Sequence, residues 1–332
     1  GTATGPASEE VSVVSLRQLA GLLKNPAAVF FEHVLGIVFR SPGADIDDDE
    51  VFTVDAMQRW QLQDQLLSMA TDVMRRDPDR DSGDALQHAL QRLKGRGLLP
   101  LGHFADIYHD SLTEPLSKSL EVYRDLCSSH PQTLQDSIDL EQDDGAAALS
   151  DTLTGIRRSD TGQRLRIELI SGQLWQGKKS GGRQALVKWH YLARIWPAHL
   201  AAQLAGPTPT HILGPDTNEV LPAMTAAEAR AALLQLLSAW HDNLQTPLAS
   251  SVKTGCSWLA NDNGESPSKA TLACYEGDYH RSGEVADSEA LARLWPDFDS
   301  LCINGFEQDS TALYSPLVAF WQASRSQRFS QG

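Results

Sequence analysis

The chain has 332 residues, 41% of them hydrophobic and 21% charged, with a net charge of −15; this is an ordinary globular composition with enough apolar mass for a sizeable core. The acidic balance argues against a surface devoted to clamping phosphate, although one local basic patch can still touch DNA. No apolar run approaches the roughly 20 residues needed to cross a bilayer. Gly1 to Ser8 lacks the charged start and apolar middle of a signal peptide. Cys127, Cys256, Cys274 and Cys302 are widely spaced without a Cys-x-x-Cys pair, so reduced thiols in a cytoplasmic protein are expected rather than zinc or disulfides. The opening Gly-Thr-Ala-Thr-Gly-Pro reads as a boundary within a longer protein, with residues 1–10 as linker.

Ser15 is a candidate N-cap for a helix from Leu16 to Lys24 whose apolar face carries Leu16, Leu19, Leu22 and Leu23. Asn25-Pro26 restarts the chain, with Asn capping and Pro in the first helical position, and a second helix runs from Ala27 to Leu35. The acidic run Asp45 to Glu50 reads as a solvated loop. Further helices are expected from Asp55, from Asp84 to Lys94, and from Phe104 to Ser128, making residues 11–130 helical.

The pattern then changes. Ser137 to Glu141, Leu149 to Ile156 and Leu165 to Ile170 alternate like strands, joined by Asp143-Asp144-Gly145 and Ser159-Asp160-Thr161-Gly162 turns. A Gly- and Lys-rich loop (Gly172 to Gly182) leads to a long helix expected from Gln184 to Leu204, and His211 to Leu213 reads as a fourth strand. Thr225-x-x-Glu228 is a capping box that opens an amphipathic helix ended by Pro247. Residues 131–260 thus form a mixed-sheet core, and 261–332 a helical region with helices at Ala286 to Trp295 and Thr311 to Gln322.

Three strands followed by a long helix resembles the element order of a metal-dependent nuclease core of the restriction-endonuclease-like, PD-(D/E)xK type, which implies an α+β fold, here with large helical additions. Such a core needs clustered carboxylates at strand ends for Mg²⁺ and a Lys on the same face as an acid. The corresponding positions by element order hold Thr154 and Arg166-Ile167-Glu168, with the charges of the triplet reversed. A cation at the metal position repels the metal, and Glu168 alone is too little charge, so these positions read as degenerate, with no catalytic residue and no metal. Asp139, Asp143 and Asp151 are the acids an unusual active site would have to use.

Between Arg157 and Arg194 stand nine cations (Arg157, Arg158, Arg164, Arg166, Lys178, Lys179, Arg183, Lys188, Arg194) against Asp160 and Glu168, a local charge of +7. With Trp175 and Trp189 interleaved, this has the parts of a surface for single-stranded DNA; Arg157, Arg158, Arg164, Trp175, Lys178, Lys179 and Arg183 are the candidates. Cations on a long helix also snorkel over apolar neighbours or balance acids at a subunit interface, and both readings stay open. His199 in Trp196-Pro197-Ala198-His199-Leu200 reads as a hydrogen-bonded core residue. There is no Gly-x-x-x-x-Gly-Lys-Ser/Thr phosphate loop, and no cofactor is expected.

Several collinear motifs carry a family resemblance. They are Ser15-Leu16-Arg17-Gln18-Leu19, Asn25-Pro26, Phe30-Phe31, Leu35-Gly36-Ile37, Leu99-Pro100-x-Gly102-x-Phe104 and Trp196-x-x-His199-Leu200. Leu221-Pro222, Thr254-Gly255-x-x-Trp258-Leu259, Tyr275-Glu276-Gly277 and Arg293-Leu294-Trp295 continue the series. Together they resemble the C-terminal domain of the RecC family, the gamma subunits of bacterial exodeoxyribonuclease V (the RecBCD helicase–nuclease). The resemblance implies a nuclease-like domain without its metal site, held in a complex with RecB and RecD and contacting RecD. It also implies a part in guiding DNA strands during break repair and recombination. The stretch Ser171 to Gly182 is a longer insertion than that family shows. An active nuclease and a stand-alone single-strand-binding module are the alternatives.

Overall fold

The computed structural model describes residues 12–39, 56–78, 80–98, 103–142, 145–177, 186–279 and 281–329. The chain begins with a short strand β1 (Ser12–Val14), then α1 (Leu16–Lys24) and α2 (Pro26–Leu35). The Ser15 hydroxyl accepts from Gln18 N and the Gln18 side chain answers at Ser15 N, a reciprocal cap that fixes where α1 starts. Asn25 caps α2 with Pro26 at its first turn, and Gly36, at φ +67°, ends it in the left-handed conformation. Three helices follow: α3 (Ala56–Arg76), α4 (Ser82–Gly95) and α5 (His103–Ser129).

A meander of β2 (Gln132–Glu141), β3 (Ala147–Arg158) and β4 (Arg164–Leu169) comes next, then the short pair β5 (Trp175–Gln176) and β6 (Leu186–Val187). Helix α6 (Trp189–Leu204) crosses back to β7 (Thr210–Gly214), which forms a hairpin with β8 (Thr217–Leu221). In the sheet, β2 runs antiparallel along one edge of β3 for nearly its whole length. The other edge of β3 is shared end to end by β1, parallel to it, and β4, antiparallel to it. Strand β7 lies parallel to β4 and antiparallel to β8. A parallel β4–β7 pair needs a crossover, and α6 supplies it.

Helices cover both faces. One face packs Ile138, Leu140, Leu149, Leu153, Ile156 and Ile212 against α1, α6, α7 (Ala226–Gln245), α8 (Val252–Asn261) and α13 (Phe306–Phe329). The other packs Ile167, Leu169 and Leu213 against the Leu-rich layer of α3, α4 and α5. A third cluster ties α2 and Trp258 to α9 (Lys269–Glu276), α11 (Glu289–Leu294) and α12 (Phe298–Ile303) through Tyr275, Trp295, Phe298 and Phe306. No helix among the described residues is long and apolar enough to cross a membrane. The four cysteines are free thiols.

Most expected elements are present, and the mixed α and β character holds. Four differ. The helix expected from Gln184 begins at Trp189, because Leu186 and Val187 extend to pair with Trp175 and Gln176. The helix expected at Ala286 to Trp295 is two pieces, α10 (Glu284–Asp287) and α11, split at Ser288, whose hydroxyl accepts from Leu291 N. The N-terminal segment is not wholly helical, since β1 joins the sheet. Strand β8 was not anticipated at all. The acidic run Asp45 to Glu50 and the motif Leu99-Pro100-x-Gly102 lie outside the described residues.

Candidate functional site

A bulge in β3 marks the position in question. Leu134 pairs with Ile156 but Asp136 pairs with Leu153, so Thr154 and Gly155 together oppose Gln135. Gly155 takes φ +78°, which the sequence permits by placing glycine there. The extra residue returns both Leu153 and Ile156 to the buried face, while Thr154 is exposed. Thr154 therefore stands at the surface of the bulge.

Beside it, Ile156 pairs with Arg166, and Arg166 pairs in turn with Thr210 of β7, so these side chains share the α6 face. Arg166 is nearly enclosed, 11% exposed at its side chain, and donates from Nη2 to Glu168 Oε2 at 2.7 Å. Arg194, from α6, donates to the other Glu168 oxygen at 3.3 Å. One carboxylate thus lies between two guanidinium groups, and the alternation of β4 places Arg166 and Glu168 side by side. The Nε and Nη1 atoms of Arg166 and Nε2 of His199 are buried without a hydrogen-bond partner among the described residues. His199 is fully buried, and its Nδ1 lies 2.9 Å from Thr210 Oγ1. Burial first, and the Arg166 charge second, push its pKa down to about 3, so it is neutral at physiological pH. His199 is a core histidine.

The same face carries a second enclosed pair. Arg164 donates to Asp136 of β2, reaching across β3, and through Nε to Thr208 Oγ1 at 3.1 Å. Gln203 closes the seam by bonding the Thr208 backbone at both ends, N–H and C=O. Sequence reasoning missed Asp136; its alternation with Leu134 and Ile138 was the available signal.

The remaining candidates are dispersed. Arg157 turns to the opposite face and donates to the carbonyls of His130, Pro131 and Cys127 at the carboxyl end of α5. A guanidinium there satisfies free carbonyls and complements the helix dipole. Arg158 bonds the Gln132 side chain with two nitrogens. Trp175 packs on Trp321, with the Arg325 guanidinium 4.7 Å above its ring. Lys178, Lys179 and Arg183 lie outside the described residues. Of the acids, Asp151 accepts from Leu16 N at the start of α1 and Asp139 accepts from Ser150 Oγ, while Asp143 lies outside the described residues. Among the described residues, no three His, Cys, Asp or Glu side chains come together as a metal site. A cleft of about 420 Å³ between β2 and the meeting ends of α6 and α7 is lined by Ser137, Ile138, Asp139, Leu204, Ala226 and Arg230, among others.

Comparison with known proteins agrees in one direction. The profile of the RecC C-terminal domain family matches residues 11–263. The RecBCD enzyme subunit RecC of Escherichia coli (strain K12) is 23% identical over 334 aligned positions, which cover 93% of this chain and 26% of that protein. The RecBCD enzyme subunit RecC of Haemophilus influenzae (strain ATCC 51907 / DSM 11121 / KW20 / Rd) is 25% identical over 118 positions, 36% of this chain and 10% of that protein. The chain spans about a quarter or less of the length of these curated relatives. With a family profile covering most of its length, this chain belongs to the RecC C-terminal domain family.

Proposed function

We propose that this chain is a non-catalytic part of a RecC subunit within a RecBCD-type exodeoxyribonuclease, where it holds RecD and RecB in place and guides DNA strands. One observation carries the loss of catalysis: Glu168, the acid at the position a metal would need, is neutralised on both oxygens by Arg166 and Arg194. Two fixed cations repel a divalent ion from that carboxylate, and one shared acid is too few ligands for Mg²⁺. The order α1, the β2–β3–β4 meander, α6 and a parallel β7 supports reading the core as a degenerate restriction-endonuclease-like fold.

A scaffolding role is supported by family membership and by uncovered apolar residues at the end of α2 and just beyond it, where Val34, Leu35, Ile37 and Val38 are all exposed. Co-expression with the RecB and RecD chains of the same source tests it. The expected result is co-purification of this chain with RecD through size-exclusion chromatography. Separate elution of correctly folded chains would refute the scaffold reading.

A further inference from the structure

Strand β2 is the outer strand of the sheet: it pairs with β3 on one side and, among the described residues, with no strand on the other. Past the bulge, Asp136 to Glu141 face Leu153 to Ala148 without interruption, which leaves one regular stretch of open edge. Alternate residues of such a strand turn their N–H and C=O groups away from the sheet. Those groups are ready partners for a second backbone, and pairing of this kind, with alternate side chains held in pockets, is one way extended peptides are bound.

Helix α7 runs beside this edge in the same direction as β2. Its first turns meet Ser137, Ile138 and Asp139 across the cleft of about 420 Å³, through Ala226, Ala227 and Arg230. Farther along both elements, the Gln142 side chain donates to Ser238 Oγ at 2.7 Å. Side chains of a strand alternate between faces, so three consecutive lining residues put the cleft along the edge of β2 and not over one face. The exposed charges select the occupant. Ile138 and Leu140 point into the core, so Ser137, Asp139 and Glu141 stand on the opposite face, all exposed, and Glu228 is exposed in the first turn of α7. Against these acids stands Arg230 on the cleft wall. Two copies paired through β2 would bring their acids together, which is how edge strands discourage self-pairing. In a chain of net charge −15, an acidic edge fits a basic partner.

We propose that the open edge of β2, with the α7 cleft beside it, is a docking site for an extended basic segment of another protein chain. The segment adds to the sheet as a further strand. Lysines or arginines at alternate positions lie beside Asp139 and Glu141, and the apolar residues between them enter the cleft against Leu204 and Ala227. This inference goes beyond the scaffold reading, which rests on family membership and on the apolar residues around the end of α2, and it does not depend on it.

The test is fluorescence anisotropy of a labelled heptapeptide alternating lysine and valine, titrated with the full chain. Two further peptides carry N-methyl groups on the lysine amides or on the valine amides. Only one of these sets faces β2 in a bound strand, so one methylated peptide is expected to lose binding and the other to keep it. Asp139→Lys with Glu141→Lys is expected to lose about tenfold in affinity, and Ala227→Trp, which fills the cleft, a similar amount. Glu121→Lys with Asp125→Lys makes the same change of charge at exposed positions of α5 and is expected to bind as the unaltered chain does. Circular dichroism checks that each variant is folded, and the methylated peptides keep the test readable where one is not. Hydrogen exchange in the unaltered chain is expected to slow within residues 136–141 when peptide is added. No binding by the unaltered chain, equal effects of the two methylations, an equal loss from the α5 variant, or protection confined to another element would each overturn the assignment. So would a chain that is dimeric in solution and becomes monomeric with Ala227→Trp, since a second copy would then occupy the edge. Failure to co-purify with RecD leaves the titration unaffected, so the two readings fail separately.

Discussion

Strand β4 turns one face to the layer of α3, α4 and α5 and the other to α6, and six residues build the two faces from opposite materials. Ile167 and Leu169 pack against leucines, with Leu66, Leu93, Leu112 and Leu116 fully buried behind them, and Leu165 is buried on the same side of the strand. Arg164, Arg166 and Glu168 point towards α6, where each charge is met by another charge or by a fixed polar group. The apolar face needs no partner chemistry and is stabilised by burial alone. The polar face is held by geometry: removing one member strands the rest in a place water does not freely reach. Polar groups stand on this face at some cost in desolvation, and they are arranged so that they neutralise one another.

On the apolar face, Leu213→Ala removes a fully buried side chain and is expected to lower unfolding free energy by about 3 to 4 kcal/mol in urea titration. On the polar face, Glu168→Ala leaves the enclosed Arg166 guanidinium uncompensated, an expected loss of about 3 kcal/mol. Replacing both partners, Arg166→Met with Glu168→Leu, is expected to recover most of that loss. A double variant as weak as the single one would mean that the pair is merely packing.

The polar face also predicts a pH dependence that the apolar face lacks. His199 has its pKa held down to about 3 in the folded chain, against 6.5 as its ordinary value. Above pH 6.5 it is neutral in both states and its contribution to stability is complete. As pH falls from 6.5 towards 3 the unfolded chain binds a proton that the folded chain refuses, and stability is lost. Between pH 7.5 and pH 5 the loss from this residue is about 2 kcal/mol. Urea midpoints across that range should flatten in His199→Leu, and an unchanged slope would remove His199 from the account. The smallest effect is local: Thr225→Ala deletes the cap of α7, whose hydroxyl receives Glu228 N at 3.2 Å, with an expected loss of about 1 kcal/mol read from the melting temperature.

Local chemistry explains which parts of this molecule are legible in its sequence. The starts of α1, α2 and α7 are visible because Ser15–Gln18, Asn25-Pro26 and Thr225–Glu228 carry their own capping groups within one turn. The β2–β4 meander is visible because its alternation is sustained. Strand β1 is not visible, since three residues exist as a strand only by pairing with Ala147 to Leu149, far along the chain. Strands β5 and β6 hide for the same reason, two residues each with a long connection between them. The site divides in the same way. Arg166 beside Glu168 follows from the period of a strand, whereas Arg194 on Glu168 and Asp136 on Arg164 are brought together only by tertiary packing. Gly155 was a readable hint of the bulge, because a glycine interrupting a strand pattern commonly marks one.

The central claim is that side-chain cations occupy the place of a divalent metal. Its most direct test is incubation of linear double- and single-stranded DNA with the purified chain in Mg²⁺ and in Mn²⁺, assayed across the chromatographic peak. The account predicts that no cleavage follows the protein. Digestion that tracks the peak, requires the divalent ion and disappears in Glu168→Gln would contradict it.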